Sequence, residues 1–302
     1  MPTAAEPRPA SLPLPGGRPG ATVRLRPLLC GTATVPPAWL HGEGGRLAGL
    51  RALGVGVPRE RRPGVPVVAF LVRHPGFGHL LIDTGFHASV AVDPKQNLGR
   101  ASAAFFKDIR MRPTDAVAHQ LRSRGIDPHA VGLVLMTHLH SGHASAVSDF
   151  PEATYLLSRR EWEEATKPRG QLRGYVRRQF DHAFDYRLVD LESPAADSFA
   201  TFGRSLDVFD DGSVRLVSTP GHTLGHLSVA LRLREREALI AGDAVYTTRT
   251  LRESALPYRM ADEHLFRRSL REIQLYVEQT PDALVIPGHD LSAWRGLEPE
   301  YS

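Results

Sequence analysis

The sequence predicts an α/β fold of two sheets packed face to face with helices outside, and three observations predict it. Short strand-like runs fill both halves of the chain, a helical stretch follows in each half, and strand ends in both halves carry histidines. Elements that are apolar on one face must bury that face against another layer, and two successive strand, strand, helix sets do so as a sandwich. At 302 residues and 42% hydrophobic content, the chain can bury a sizeable core as one large domain or two small ones. We take residues 21–302 as one domain and the Pro/Gly-rich residues 1–20 as a flexible tail.

Strand-like runs cover Thr22 to Cys30, Val67 to Val72 and Leu80 to Asp83, the last two joined by Pro75-Gly76-Phe77-Gly78 as a hairpin. Residues 84–112 lack clear periodicity, and Pro113-Thr114-Asp115 then opens a helix ending near Gly125. Val131 to Met136 is apolar throughout and too short for a helix, so it reads as a buried strand that delivers His138 and His140 from its carboxyl end. A short helix over 144–150, a strand from Ala153 to Leu157 and a helix capped by Ser158 come next. Residues 170–184 read as a helical surface insertion bearing Arg173, Arg177 and Arg178. Beyond Ser205 lie short strands at 206–209, 214–218, 227–233 and 238–240, with a turn at Asp210-Asp211-Gly212. A helix over 262–279 and a strand over 283–286 complete the set.

The net charge is +4, and all but three of the 37 basic residues are arginines, spread along the chain with no run of five like charges. Nucleic-acid footprints are clustered, so this basicity reads as a solvated surface and no nucleic-acid partner is expected. The lone Cys30, set among apolar neighbours, rules out an internal disulfide and reads as a small core side chain. No basic stretch followed by a long apolar run opens the sequence, so neither a signal peptide nor a membrane span is expected, and the cytoplasm is the default location.

The most informative segment is Thr137-His138-Leu139-His140-Ser141-Gly142-His143. With 14 histidines in the chain, a His-x-His-x-x-His pattern arises by chance in roughly 3 of 100 such sequences. Its companions lower that risk: His222 in a glycine loop after a strand, Asp243 at the end of the next, and His289 in Pro287-Gly288-His289. Imidazoles with a carboxylate suit zinc and related divalent ions, and loops rooted in sheets can converge on one. Two histidines two apart can face one ion, a third after a turn can reach a second, and Asp243 can bridge both, with a shared hydroxide as nucleophile.

On these residues the chain resembles the metallo-β-lactamase superfamily over roughly 21–295, with His-x-His-x-Asp-His, His, Asp and His falling on His138, His140, Gly142 in place of Asp, His143, His222, Asp243 and His289. The resemblance implies an αββα four-layer sandwich. It implies that His138, His140 and His222 hold one metal and His143 and His289 a second, with Asp243 shared. Leu81-Ile82-Asp83-Thr84-Gly85 and Gly242-Asp243-Ala244-Val245-Tyr246-Thr247 are most similar to the N-acyl-homoserine lactonases, quorum-quenching enzymes. The implied substrate is a small lactone or ester, the cofactor zinc at up to two ions per chain, and Tyr246 meets the lactone carbonyl. Asp243 and Tyr246 are thus the candidate catalytic residues.

Gly142 departs from the family pattern, removing a second-site ligand and a proton donor whose help is worth roughly 10² to 10⁴ in rate. The remaining His143, His289 and Asp243 still match the three protein ligands of an open catalytic zinc. The rival readings are a thioesterase or other ester hydrolase of the same superfamily, and a degenerate member that binds metal or ligand without turnover.

Among the remaining residues, Asp83 braces the histidine loop or caps a turn, and Tyr246 is otherwise an ordinary strand aromatic. His226 is structural, while Asp290 either orients a ligand histidine or caps the final turn. Phe105, Phe106 and Met111 line an acyl pocket or pack under a loop. Residues 84–112 and the arginine-bearing insertion are the candidate contacts of a homodimer.

Overall fold

The computed structural model describes residues 4–302, apart from the side chains of Ala101 and Ala104. In chain order its strands are β1 (Arg8–Pro9), β2 (Arg24–Thr34), β3 (Gly64–His74), β4 (Gly78–Ile82), β5 (Lys107–Arg110), β6 (Val131–Leu135), β7 (Thr154–Ser158), β8 (Asp185–Val189), β9 (Asp197–Phe199), β10 (Phe202–Asp207), β11 (Val214–Ser218), β12 (Leu227–Arg232), β13 (Glu237–Gly242) and β14 (Leu284–Pro287). They form an eight-stranded sheet in the order β1-β8-β7-β6-β4-β3-β2-β5 and a six-stranded sheet in the order β14-β13-β12-β11-β10-β9.

Successive side chains of a strand face opposite sides, and the sequence fills both. Val68, Phe70 and Val72 of β3 enter the layer between the sheets, where they join Leu227, Val229 and Leu231 of β12. Their neighbours Val67, Ala69 and Leu71 face outward with Leu121, Phe150 and Trp162. Beyond the second sheet, Ala230 and Leu239 meet Phe266, Leu270, Ile273 and Tyr276 of the helix Glu263–Gln279. Burying each such side chain contributes about 1.5–3 kcal/mol, which fixes the four layers as αββα.

This topology sets the site. Strand β4 runs parallel to β6, β11 and β13 each run antiparallel to β12, and β14 runs parallel to β13. Asp83, His138, His222, Asp243 and His289 follow the carboxyl ends of β4, β6, β11, β13 and β14 in turn.

Three expectations need correction. Residues 1–20 are not loose where the structure describes them. Ala4 and Ala5 donate their amides to Asp181 Oδ1 at 2.7 and 3.1 Å, β1 pairs in parallel with β8, and Leu14 N donates to the Val208 carbonyl. Proline is compatible with an edge strand, which is where Pro9 lies, so a Pro-rich composition did not preclude pairing. Residues 170–184 form two 3₁₀ turns, Gly170–Arg173 and Arg177–Gln179, instead of a helix, because Gly174 at φ 100° breaks any helical run. Ser158 occupies the cap position of the helix Arg159–Thr166, but its side chain makes no capping hydrogen bond. No helix among the described residues is long and apolar enough to cross a membrane.

Candidate metal centre

Five histidines and one aspartate from loops up to 151 positions apart converge. Ligand atoms of His138, His140 and His222 lie within 4.8 Å of one another, and so do those of His138, His143 and Asp243. Asp243 Oδ2 lies 3.1 Å from Nε2 of both His222 and His289, and Oδ1 lies 3.3 Å from His143 Nε2. The carboxylate therefore turns Oδ2 toward His222 and His289 and Oδ1 toward His143. His289 meets the same Asp243 oxygen as His222 and belongs to neither close triad.

The ring nitrogens turned inward are set by what the other nitrogens bind. His143 Nδ1 lies 2.7 Å from Asp83 Oδ2, which leaves Nε2 toward Asp243. His140 Nε2 lies 2.8 Å from the Arg173 carbonyl, an acceptor only, so Nε2 carries the proton and Nδ1 offers its lone pair 2.9 Å from His222 Nε2. His222 Nδ1 lies 3.1 Å from the Tyr246 hydroxyl.

Burial pulls His138 and His222 well below the usual histidine range and His140 down to about 4. Burial also pulls on His143, but the Asp83 and Asp243 carboxylates outweigh it and lift His143 to about 10. Asp243 is pressed upward by burial, yet the surrounding histidines hold it well below its ordinary value. His138, His140 and His222 are thus held neutral beside an ionised carboxylate, the state a divalent cation requires, whereas His143 keeps its proton in the metal-free chain and would release it on binding a cation.

The fit can be tested on unpaired atoms. His138 Nε2, Asp243 Oδ1 and His289 Nδ1 are buried without a hydrogen-bond partner. Buried polar groups left unpaired are costly, and a cation between the two triads would engage the first two. Gly142, read as the missing ligand, sits in the short helix Ser141–Ala144, and a Cβ built on it meets nothing within 4 Å. Neither packing nor backbone angle demands glycine there.

Around the ligands lie residues whose site roles the sequence did not reveal. His226 Nε2 accepts the Asp243 amide at 2.9 Å, and Nδ1 lies 2.9 Å from Thr219 Oγ1 in a chain that continues to Ser228 and the Ala241 carbonyl. It is structural, as expected, and what it positions is Asp243, whose amide it accepts. Trp39 packs on Tyr246 and His289 with ring centroids 5.0 and 5.1 Å apart and reaches Phe105 at 5.5 Å, so aromatic side chains wall the site. Phe106 joins Phe105 in that wall, 5.4 Å away. Tyr175 of the 170–184 segment lies tilted against His140, with ring centroids 4.8 Å apart. Asp290 caps the helix Leu291–Arg295 and accepts the Thr248 amide, so of its two readings the cap is the one found. Trp39 carried no sequence signal beyond its Pro-Pro-Ala-Trp context, and the Tyr175 contact spans 35 positions.

The family model described as the metallo-beta-lactamase superfamily matches residues 62–289. The N-acyl homoserine lactonase AttM of Azorhizobium caulinodans is 35% identical over 232 residues, which span 76% of this chain and 84% of that protein. AttM of Agrobacterium fabrum is 33% identical over 242 residues, or 78% and 87% of the two chains. Among solved structures, a mutant of B. thuringiensis AiiA with N-decanoyl-L-homoserine at its active site aligns with a TM-score of 0.74 at 20% identity, covering 93% of this chain and 100% of that one. At that identity the likeness speaks to the fold.

Proposed function

Because this chain belongs to the metallo-beta-lactamase superfamily, we propose that it is a metal-dependent lactonase that opens N-acyl-homoserine lactone rings and so acts in quorum quenching. The observation that carries the reading is the Asp243 carboxylate set among His143, His222 and His289 beside the His138, His140 and His222 group, in a chain that covers 84% of a lactonase relative at 35% identity. His138, His140 and His222 would hold one ion, and His143 and His289 a second, with Asp243 shared. When bound, the metal supplies Lewis acidity toward the ring carbonyl and an activated water.

The residues of this chain do the rest. If His222 Nδ1 donates to the Tyr246 oxygen, the phenol proton is left to point at a substrate oxygen, and burial keeps that phenol protonated far above neutral pH. A donor aimed where negative charge develops lowers the barrier without reorganising at the moment of reaction. Trp39, Phe105 and Phe106 offer an apolar wall for the acyl chain. Water adds to the carbonyl carbon, the ring C–O bond breaks, the ring oxygen gains a proton, and an N-acyl homoserine leaves.

Our reading takes zinc as the ion, at up to two per chain, residues 21–302 as one catalytic domain, a homodimer as the assembly and the cytoplasm as the compartment. The deciding experiment is ring-opening of acyl-homoserine lactones of several chain lengths by zinc-loaded protein, followed by chromatography of the hydroxy acid. Turnover of thioesters in preference to lactones would move the protein to the thioesterases, and tight metal or lactone binding with no product would make it a non-catalytic member.

A further inference from the structure

Glu161 is fully buried, yet it lies in none of the metal-ligand groups. Its Oε1 accepts the Leu139 amide at 2.9 Å, and its Oε2 accepts the Thr223 hydroxyl at 2.6 Å. The Gly225 amide and the Tyr175 hydroxyl also turn toward this carboxylate. A buried carboxylate is costly unless hydrogen bonds offset the burial, and here groups from three separate segments, the Leu139 amide and Thr223 hydroxyl foremost, are turned to it.

The addresses of those donors matter. Leu139 stands between His138 and His140, and Thr223 directly follows His222. Tyr175 lies two residues past Arg173, whose carbonyl holds His140 Nε2 at 2.8 Å. The approach is close enough that a Cβ on Gly225 would sit 2.1 Å from the Glu161 amide nitrogen, so the His222 loop is seated directly on the start of the helix Arg159–Thr166.

We propose that Glu161 is the positioning residue of the His138, His140 and His222 group, fastening both histidine loops and the Tyr175 turn to one carboxylate and so setting the spacing of the three imidazoles. The proposal rests on the metal reading above. Glutamine of the same size would keep one oxygen for the Leu139 amide but put an NH₂ where Oε2 accepts the Thr223 hydroxyl, so that hydroxyl would have to turn from donor to acceptor. With Gly142 supplying no ligand to the other group, the group Glu161 governs is the one with a complete histidine set.

The test is zinc affinity, measured by competition with a chromophoric chelator on Glu161→Gln, with Thr223→Val and Tyr175→Phe each removing a single donor. Loss of a group that orients metal ligands typically lowers affinity by roughly 10 to 100-fold, and that is the drop expected for Glu161→Gln, with smaller drops for the other two. The cobalt-substituted protein gives a second readout: the visible d–d bands of Glu161→Gln should shift and weaken as the histidine spacing relaxes. Melting of the metal-free proteins separates positioning from folding. Unchanged zinc affinity and cobalt spectrum in folded Glu161→Gln would overturn the proposal. Should that variant fail to fold, unchanged affinity in both Thr223→Val and Tyr175→Phe would do the same. Absence of zinc binding in the wild-type chain would overturn the metal reading itself.

Discussion

Asp83 and His143 are locked together: His143 Nδ1 lies 2.7 Å from Asp83 Oδ2, and Asp83 reaches it from a left-handed backbone at φ 57°. The other Asp83 oxygen accepts the Thr137 amide at 2.8 Å, so one side chain pins both the root of the histidine loop and its last imidazole. Aspartate and asparagine tolerate this backbone better than other residues with a Cβ. Asp83→Asn should therefore fold but lose the anion that orients His143. The expected result is retention of zinc by the histidine triad and a roughly 10 to 100-fold weaker second ion, read as ions per chain during stepwise dialysis against chelator.

Gly142→Asp tests the departure from the family pattern. The Cβ has open space, and a carboxylate in the first turn of a helix is favoured electrostatically. The substituted chain should retain closer to two zinc ions than the wild type does, and its lactone turnover should rise by about 10² if the new carboxyl also moves a proton. Equal metal content in the two proteins would mean that His143, His289 and Asp243 already hold the second ion unaided.

How much of this was legible in the sequence follows a physical division. The candidate ligands follow strand ends, and an apolar run followed by histidine is a local signal, so the gathering of His138, His140, His143, His222, Asp243 and His289 could be expected before the fold was known. The layers followed from two successive strand, strand, helix sets and the family resemblance, and the structure gives the physical basis in β3, where successive residues serve different cores. What escaped was non-local. Glu161 meets Thr223 across 62 positions, and nothing in Arg-Arg-Glu-Trp separates it from the solvated charges beside it. The 170–184 segment misled because its helical spacing outweighed two glycines, and the N-terminal tail because proline content says nothing about which edge a chain will find.

The metal-free protein should be most stable near neutral pH. Burial lowers His226 to about 3 and His140 to about 4 from an ordinary 6.5, so the folded state binds fewer protons than the unfolded chain below that value. Stability from these neutral imidazoles is present above pH 6.5 and lost as pH falls toward 4 for His140 and about 3 for His226. His143, raised to about 10 by Asp83 and Asp243 against burial, acts oppositely: its contribution is complete below pH 6.5 and disappears as pH climbs through 10. Urea midpoints of chelator-treated protein at pH 5, 7 and 9 should trace a dome, and a midpoint rising steadily to pH 9 would contradict the assignment of His143.

Tyr246→Phe separates chemistry from binding. The ring is buried against Trp39 and His289, so phenylalanine keeps the packing and removes only the hydroxyl. His222 loses a partner on Nδ1 but keeps Nε2 toward Asp243, so zinc content should change little. Removing one donor to a developing oxyanion typically costs about 10² to 10³ in rate, and that loss should fall on kcat, with KM nearly unchanged, because the hydrogen bond strengthens only as the carbonyl oxygen gains charge. Steady-state kinetics on one lactone settles the point. A rise in KM at constant kcat would make Tyr246 a binding residue, and no change in either would leave it a strand aromatic that happens to touch His222.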